Sequence, residues 1–98
     1  STGTKSMVLP PSNLSVVQDV NDFGVFSEHY NTFSWDASAD PNVVGYLIYR
    51  NGVFLEQVAS GVLQIIDNNR VQNGTVVYGV AALDDQNGHS QIVKIVFP

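Results

Sequence analysis

The sequence of 98 residues contains no cysteine, and this absence excludes several kinds of structure and chemistry. Without thiols the chain has no disulfide framework, no thiolate metal site and no cysteine nucleophile. Whatever fold it adopts must therefore be held together by apolar packing and hydrogen bonds alone.

Basic residues are also scarce. Four Lys and Arg residues stand against nine Asp and Glu, which gives a formal net charge of −5. The four are scattered along the chain as Lys5, Arg50, Arg70 and Lys94. Because a nucleic-acid backbone or an anionic membrane surface is bound by clustered cations, we expect neither as a partner.

Long apolar runs are missing as well. No stretch approaches the ~20 residues that a membrane-spanning helix needs, so we expect no membrane insertion. Apolar residues nevertheless make up 44% of the chain and charged residues only 13%, a composition typical of a folded domain. We predict one domain over residues 10–98, and we interpret residues 1–9 as a linker or cloning remnant, because Ser1–Met7 has no apolar signal-peptide core.

What the sequence has instead is an apolar alternation with a period of two. It places one set of side chains on one face of each predicted strand: Phe33 and Trp35; Tyr46 and Ile48; Val76, Tyr78, Val80 and Ala82. Asn-Gly pairs follow or precede these segments at positions 51–52, 73–74 and 87–88. Short alternating strands separated by turn residues predict an all-β sandwich or barrel.

The predicted strands are Ser12–Val17, a strand around Phe33–Trp35, Gly45–Arg50, Val53–Val58, Thr75–Leu83 and Ser90–Phe97. Asn51-Gly52 between two of them predicts a type I′ hairpin turn, which needs positive φ at both central residues. The segment Gln18–Tyr30 is long for a hairpin connection, and we expect a strand extension within it around Val25-Phe26.

Several of these segments resemble the fibronectin type III family. They are Pro11–Leu14, Phe33-Ser34-Trp35, Gly45–Gly52, which is most similar to bacterial members, and Val80–Asp84 followed by Asn87–Ser90. The resemblance runs in order from Pro10 to Pro98. It implies an immunoglobulin-like two-sheet sandwich with sheets A-B-E and C′-C-F-G and with Trp35 between the sheets. In the last strand Lys94 marks the outward face, so we expect Val93, Ile95 and Phe97 to point inward.

Two features depart from that family. Members often carry a tyrosine at the start of strand F whose hydroxyl closes a corner of the fold. Here that position is Val76, while Tyr78 falls two residues later on a core-facing position, so the usual corner bond is not expected. The second departure is Gln18–Tyr30, which is longer than the usual A–B connection.

The complete sandwich pattern, the lack of a catalytic constellation and the polar ends predict a module without catalytic activity, cofactor or metal, which spaces or joins parts of a larger secreted or cell-surface protein. Its expected partners are neighbouring domains of the same chain, and in isolation we expect a monomer. The alternative is a protein- or carbohydrate-binding adhesion module. It would use the outward face of strand C, with Leu47, Tyr49 and Phe54 as the contact patch, or the loops Asp36–Val43 and Asp84–Ser90.

Two chemical alternatives stay open at this level. His29 and His89 are the only histidines, and a catalytic triad assembles in space rather than in sequence. No nucleophile motif stands beside either, which favours surface histidines. The pairs Asp19 and Asp22, Asp36 and Asp40, and Asp84 and Asp85 offer oxygen ligands for calcium, but Asp is equally an ordinary turn residue.

Overall fold

The computed structural model describes residues 8–98, except for the side chain of Asn69, and within this range it contains strands and no helix. The strands are β1 (Ser12–Asp22), β2 (Ser27–Asp36), β3 (Val43–Arg50), β4 (Val53–Ala59), β5 (Gln64–Arg70), β6 (Val76–Asp84) and β7 (Val93–Phe97). They form a three-stranded sheet in the order β1-β2-β5 and a four-stranded sheet in the order β4-β3-β6-β7. All paired strands are antiparallel.

This arrangement confirms the predicted all-β two-sheet sandwich. The two sheets contain the strands expected for A-B-E and C′-C-F-G. The sequence had given no boundaries for the third strand of the smaller sheet, which the structure places at Gln64–Arg70. In this strand Ile65 is buried and Ile66 is exposed. Because both are apolar, the sequence does not show the alternation between the two faces.

The core lies between the sheets and contains every residue that the alternation predicted, together with Val8 and Ile65, which it did not predict. Its buried members are Val8, Phe33, Trp35, Tyr46, Ile48, Ile65, Val76, Tyr78, Val80 and Ala82. Val93, Ile95 and Phe97 are partly buried against it, as expected for the inward face of β7. Phe33 lies against both Trp35 and Tyr78, with ring centroids 5.2 and 5.1 Å apart. Trp35 therefore fills the inter-sheet space, as the resemblance implied.

The Asn51-Gly52 turn joins β3 to β4 with the predicted geometry. Asn51 has φ of 52° and Gly52 has φ of 83°, the left-handed values that a type I′ turn requires. Asn51 also extends the pairing with β6, because its backbone N–H donates to Val77 O and its side-chain oxygen accepts from Val77 N.

The long segment Gln18–Tyr30 is not an irregular insertion. Here β1 and β2 continue as a paired ribbon from Gln18 opposite Asn31 out to Asp22 opposite Ser27. Val25 and Phe26 lie in the turn that closes the ribbon, not in a strand, so the expected position of the strand extension was wrong. The ribbon contributes to the elongated outline of 62 × 22 × 20 Å.

The two ends of the described chain lie at opposite poles of the sandwich. At the first pole Val8 is buried in the core and the Ser38 hydroxyl donates to Leu9 O, so the described part of the predicted linker packs on the domain. β1 runs from there to the second pole, where Phe97 pairs with Val76. The residues preceding Val8 lie outside the described part of the chain. No helix among the described residues is long and apolar enough to cross a membrane.

Candidate functional site

The contact patch predicted from the sequence lies on the outer face of the four-stranded sheet. Leu47 and Tyr49 are half-buried on β3, and Phe54 faces Tyr49 from β4 with 53% of its surface exposed. The Tyr49 and Phe54 rings meet edge to face with centroids 5.8 Å apart. The structure thus brings Tyr49 and Phe54 into contact and puts Leu47 two residues away on the same strand, while a binding role stays a prediction.

A groove borders this patch, and sequence reasoning missed it. It has a volume of about 560 Å³ and is lined by Tyr49, Asn51, Gly52, Val77, Gly79, Ile92 and Lys94. Ile92 packs closely over Gly79, because a Cβ there would come within 2.7 Å of Ile92 Cγ2. The signal in the sequence was a glycine in the interior of an apolar strand, which often marks a site of close approach.

A buried polar network joins the two sheets near the second pole. The Tyr78 hydroxyl on β6 donates to Asp67 Oδ2 on β5 at 2.5 Å. Arg50 Nη1 on β3 lies 2.5 Å from the other oxygen of Asp67, and Arg70 Nε lies 3.5 Å from Oδ2. The single carboxylate of Asp67 therefore binds a phenol and a guanidinium from the opposite sheet.

The same network continues into the hairpin and the loop before β6. Asn31 Nδ2 donates to the Tyr78 hydroxyl at 3.0 Å, and Gln18 Nε2 donates to Asn31 Oδ1 at 2.9 Å. Gln18 also donates to Val71 O and accepts from Asn73 N. Because buried polar groups are costly unless they are hydrogen-bonded, this connected set specifies how the sheets and the loop fit together.

Burial and the hydrogen bond to Asp67 raise the pKa of Tyr78 from 10.0 to about 12. Both causes disfavour the phenolate, which would lie in the core beside a carboxylate. Tyr78 is fully buried and Asp67 nearly so. This is the geometry of a structural clamp between the two sheets.

Most of the candidate calcium ligands bind local backbone or a neighbouring side chain. Asp22 accepts from Gly24 N, Asp36 from Asn13 Nδ2 and Asp40 from Asn42 N. Buried Asp84 accepts from the backbone N–H groups of Gln86 and Gly88. The bonds of Asp22, Asp40 and Asp84 agree with the turn interpretation, whereas the Asp36 bond joins β1 to β2. No group of three or more His, Cys, Asp or Glu side chains positioned for a metal ion occurs among residues 8–98.

The two histidines lie at different ends of the molecule. His29 is in the ribbon and faces Arg70 of β5 near the second pole. His89 bridges to Leu83 in the loop that precedes β7 at the first pole. The candidate binding loops do meet there, because Asp85 N donates to Asn42 O at 3.1 Å.

The sheet orders and the packed core define a fibronectin type III-like sandwich. Among solved structures, the chain is similar to the central fibronectin-III array of RIM-binding protein, with a TM-score of 0.67 and 14% identity over 90% of this chain and 35% of that one. It is also similar to the Clostridium perfringens spore cortex lytic enzyme SleM, with a TM-score of 0.63 and 14% identity over 89% of this chain.

The chain spans 28% of the length of the SleM chain and about a third of the RIM-binding protein array. No protein-family model matches the sequence, and no curated protein matches it significantly. At 14% identity the likeness to the two structures establishes the fold alone.

Proposed function

We propose that this fibronectin type III-like domain is a non-catalytic module that spaces and joins parts of a larger secreted or cell-surface protein. The observation that carries the proposal is the placement of Val8 and Phe97 at opposite poles of a sandwich. A domain with this layout sets a fixed distance between whatever precedes and follows it. The Asp67 network supports the same role, since it couples the two sheets through Tyr78 and Arg50.

The similarities to solved structures fit this proposal. In both matched proteins the similar region is a minor part of a longer chain. The proposed location outside the cell or on its surface rests on the resemblance of Gly45–Gly52 to bacterial modules of this family.

A domain exchange within the full-length protein tests the spacer role. The module is replaced by an unrelated fibronectin type III domain with the same distance between its ends, and the function of the parent protein is measured beside a clean deletion. We expect the exchange to retain function and the deletion to lose it. Loss of function in both would contradict a spacer and favour a specific surface.

The second candidate is a binding module, and the edge-to-face pair of Tyr49 and Phe54 favours it. A half-exposed aromatic pair on a rigid sheet offers apolar contact area at little entropic cost, whether the ligand is a sugar ring or a protein side chain. Nuclear magnetic resonance (NMR) titration of the labelled domain with a glycan panel and candidate proteins tests it. We expect chemical-shift changes at Leu47, Tyr49 and Phe54. They should disappear in Tyr49→Ala and remain in Ile66→Ser, which changes a residue on the other sheet. Saturating ligand without shifts at these three residues would contradict it.

A further inference from the structure

The turn that closes the β1–β2 ribbon displays apolar side chains to solvent. Phe23, Val25 and Phe26 are 54%, 93% and 62% exposed, and we call these three residues the hairpin tip. The two phenyl rings lie together with centroids 5.0 Å apart. Exposing three large apolar side chains side by side is unfavourable in water, and clusters of this kind mark contact sites.

The tip is also built as a defined structure. Phe23 N–H donates to Phe26 O at 2.8 Å, and Gly24 N–H donates to the Asp22 carboxylate at 2.9 Å. Gly24 has φ of 88°, a value that a residue with a Cβ rarely adopts. The backbone is thereby held in the shape that keeps both rings on one projection.

The tip stands clear of its own sandwich. The last pairing between β2 and β5 joins His29 to Arg70, and beyond it the ribbon continues through Asp22 and Ser27 to the turn. At ~3.3 Å per residue this extension projects roughly 10 Å past the sheet. The cavities that the tip lines involve only ribbon residues and Arg70.

The groove beside Tyr49 offers a surface of matching character. Its apolar lining comes from Tyr49, Val77, Gly79 and Ile92, and we call these four residues the sheet-face groove. Its volume of about 560 Å³ falls within the ~300–1,000 Å³ typical of pockets that enclose a ligand. The missing side chain at Gly79 lets Ile92 pack closely against the sheet and form one wall of the groove.

The charges at the two surfaces are complementary. Asp22 and Glu28 flank the hairpin tip, whereas Lys94 stands at the edge of the sheet-face groove. Of the described cations, Arg50 and Arg70 already pair with Asp67, but Lys94 has no carboxylate within 4.0 Å among residues 8–98. Opposite charges around an apolar contact fix its register more than its strength.

We propose that the hairpin tip of one copy inserts its Phe23 and Phe26 rings into the sheet-face groove of a second copy, with Lys94 beside the acidic flank. The tip belongs to the three-stranded sheet and points away from the sandwich, while the groove lies on the outer face of the other sheet, so one molecule does not satisfy itself. The contact is therefore head to face: the tip of one copy binds a different surface, the groove, of the next copy. Repetition of such a contact gives a ring or a filament.

The interface is small, well below the ~800 Å² per partner of a standard complex. The contact is consequently weak between free modules, which stay monomeric when dilute. It forms where copies are held close together. This inference goes beyond the spacer role and is independent of it, since a spacer that fails to self-associate remains a spacer.

Concentration-dependent NMR of the isolated domain tests the proposal. Between ~50 µM and ~2 mM we expect shifts at the hairpin tip and the sheet-face groove together, since a contact below standard size falls in the weak range. Phe23→Ser with Phe26→Ser, and separately Gly79→Val, should each weaken association by at least about tenfold. Ile66→Ser, which changes an equally exposed apolar residue on β5 outside both surfaces, is the matched control and should have no effect.

A mixing experiment decides the geometry. The labelled protein is the Phe23→Ser, Phe26→Ser tip variant, whose groove is intact. The unlabelled protein is the Gly79→Val variant, whose tip is intact. If the tip of one copy binds the groove of another, mixing the two should shift the groove resonances of the labelled protein. Two tip variants mixed together should show none. Lys94→Glu should weaken association, and Glu28→Lys in the other partner should restore part of it.

Three results would overturn the proposal. The first is shifts that do not change with concentration up to ~2 mM. The second is loss of association in the tip variant but not in Gly79→Val, which would indicate tip-to-tip contact. The third is binding of the tip to zwitterionic phosphatidylcholine vesicles without self-association, which would assign the tip to a lipid surface.

Discussion

The Tyr78 hydroxyl donates a 2.5 Å hydrogen bond to Asp67 across the core, and this pair joins the two sheets of the sandwich. Neither residue lies at the position where related domains close their corner, which is occupied here by Val76. Arg50 also binds Asp67, and Asn31 also donates to Tyr78. Stability and sheet alignment at the second pole therefore depend on a polar network rather than on a surface corner.

Removing the hydroxyl should destabilise the domain. In Tyr78→Phe the buried oxygen of Asp67 and the amide of Asn31 each lose a partner, which should cost about 1–3 kcal/mol of unfolding free energy. Urea denaturation followed by Trp35 fluorescence measures it. Tyr49→Phe is the matched control, because the Tyr49 hydroxyl has no hydrogen bond among the described residues and its removal should change stability by less than about 0.5 kcal/mol. Equal effects of the two changes would contradict the clamp.

The same pair predicts loss of stability at high pH. The pKa of Tyr78 is about 12 when folded and 10.0 when unfolded, so above pH 10 the unfolded chain releases a proton that the folded chain retains. The contribution is complete below pH 10 and is lost as the pH rises towards 12, amounting to about 2–3 kcal/mol. Unfolding free energies at pH 9 and 11.5 should fall further in the wild type than in Tyr78→Phe. An identical fall would assign the pH effect to other groups.

Gly45 should tolerate no side chain. A Cβ at this position would lie 2.5 Å from Val58 O, a backbone atom of β4 that moves only if the strand pair shifts. Gly45→Ala should therefore cost about 1–3 kcal/mol. At Gly61 a Cβ meets nothing within 4 Å, so Gly61→Ala serves as the control and should be neutral or slightly stabilising. Thermal unfolding of both variants compares them directly.

Asn51 is expected to contribute through both its backbone and its side chain. Asn51→Ala keeps the positive φ at a steric cost and removes the acceptor for Val77 N, so we expect a loss of about 1–3 kcal/mol. Asn51→Asp retains an acceptor and should lose less. Hydrogen exchange of the Val77 amide reports the bond itself, and unchanged protection in Asn51→Ala would show that the side chain does not hold it.

The ribbon beyond the sandwich should be dispensable for folding. Replacing residues 20–29 by Asn-Gly keeps Asp19 opposite Tyr30 and leaves Gln18 and Asn31 in place. The shortened domain should unfold cooperatively within about 1–2 kcal/mol of the wild type, because the hairpin tip contributes nothing to the core. Loss of cooperative unfolding would show that the ribbon supports the fold as well as presenting the tip.

Much of the fold was predictable because the turn residues and the alternation of buried and exposed side chains indicate the same strands along most of the chain. Tyr46 and Ile48 alternate with outward residues, and Asn51-Gly52 carries the backbone angles of its turn. The ribbon was misread because the outer parts of its two strands are largely exposed, and Asp19–Asp22 of β1 are exposed throughout. Their residues show no apolar alternation, although backbone pairing with a neighbour holds them as strands.

For the candidate site, the sequence placed Leu47, Tyr49 and Phe54 on the outward side of β3 and β4. It did not reveal the groove, since Val77 and Gly79 of β6 meet Ile92 only after the sheet has formed. The Asp67 network was equally hidden, because its members come from five strands and nothing local distinguishes Asp67 from a turn residue.

The sequence by itself determined that this chain is built of strands with one buried face, because the period of two assigns each side chain to a face and apolar burial then selects the inward one. The tertiary structure alone decided which polar groups meet in the core, where the ribbon projects and where the groove opens. Those features depend on contacts between residues far apart in the chain, such as Gln18 with Asn73 and Asp67 with Arg50. Their partners are chosen by strand pairing and by the need to satisfy every buried polar group.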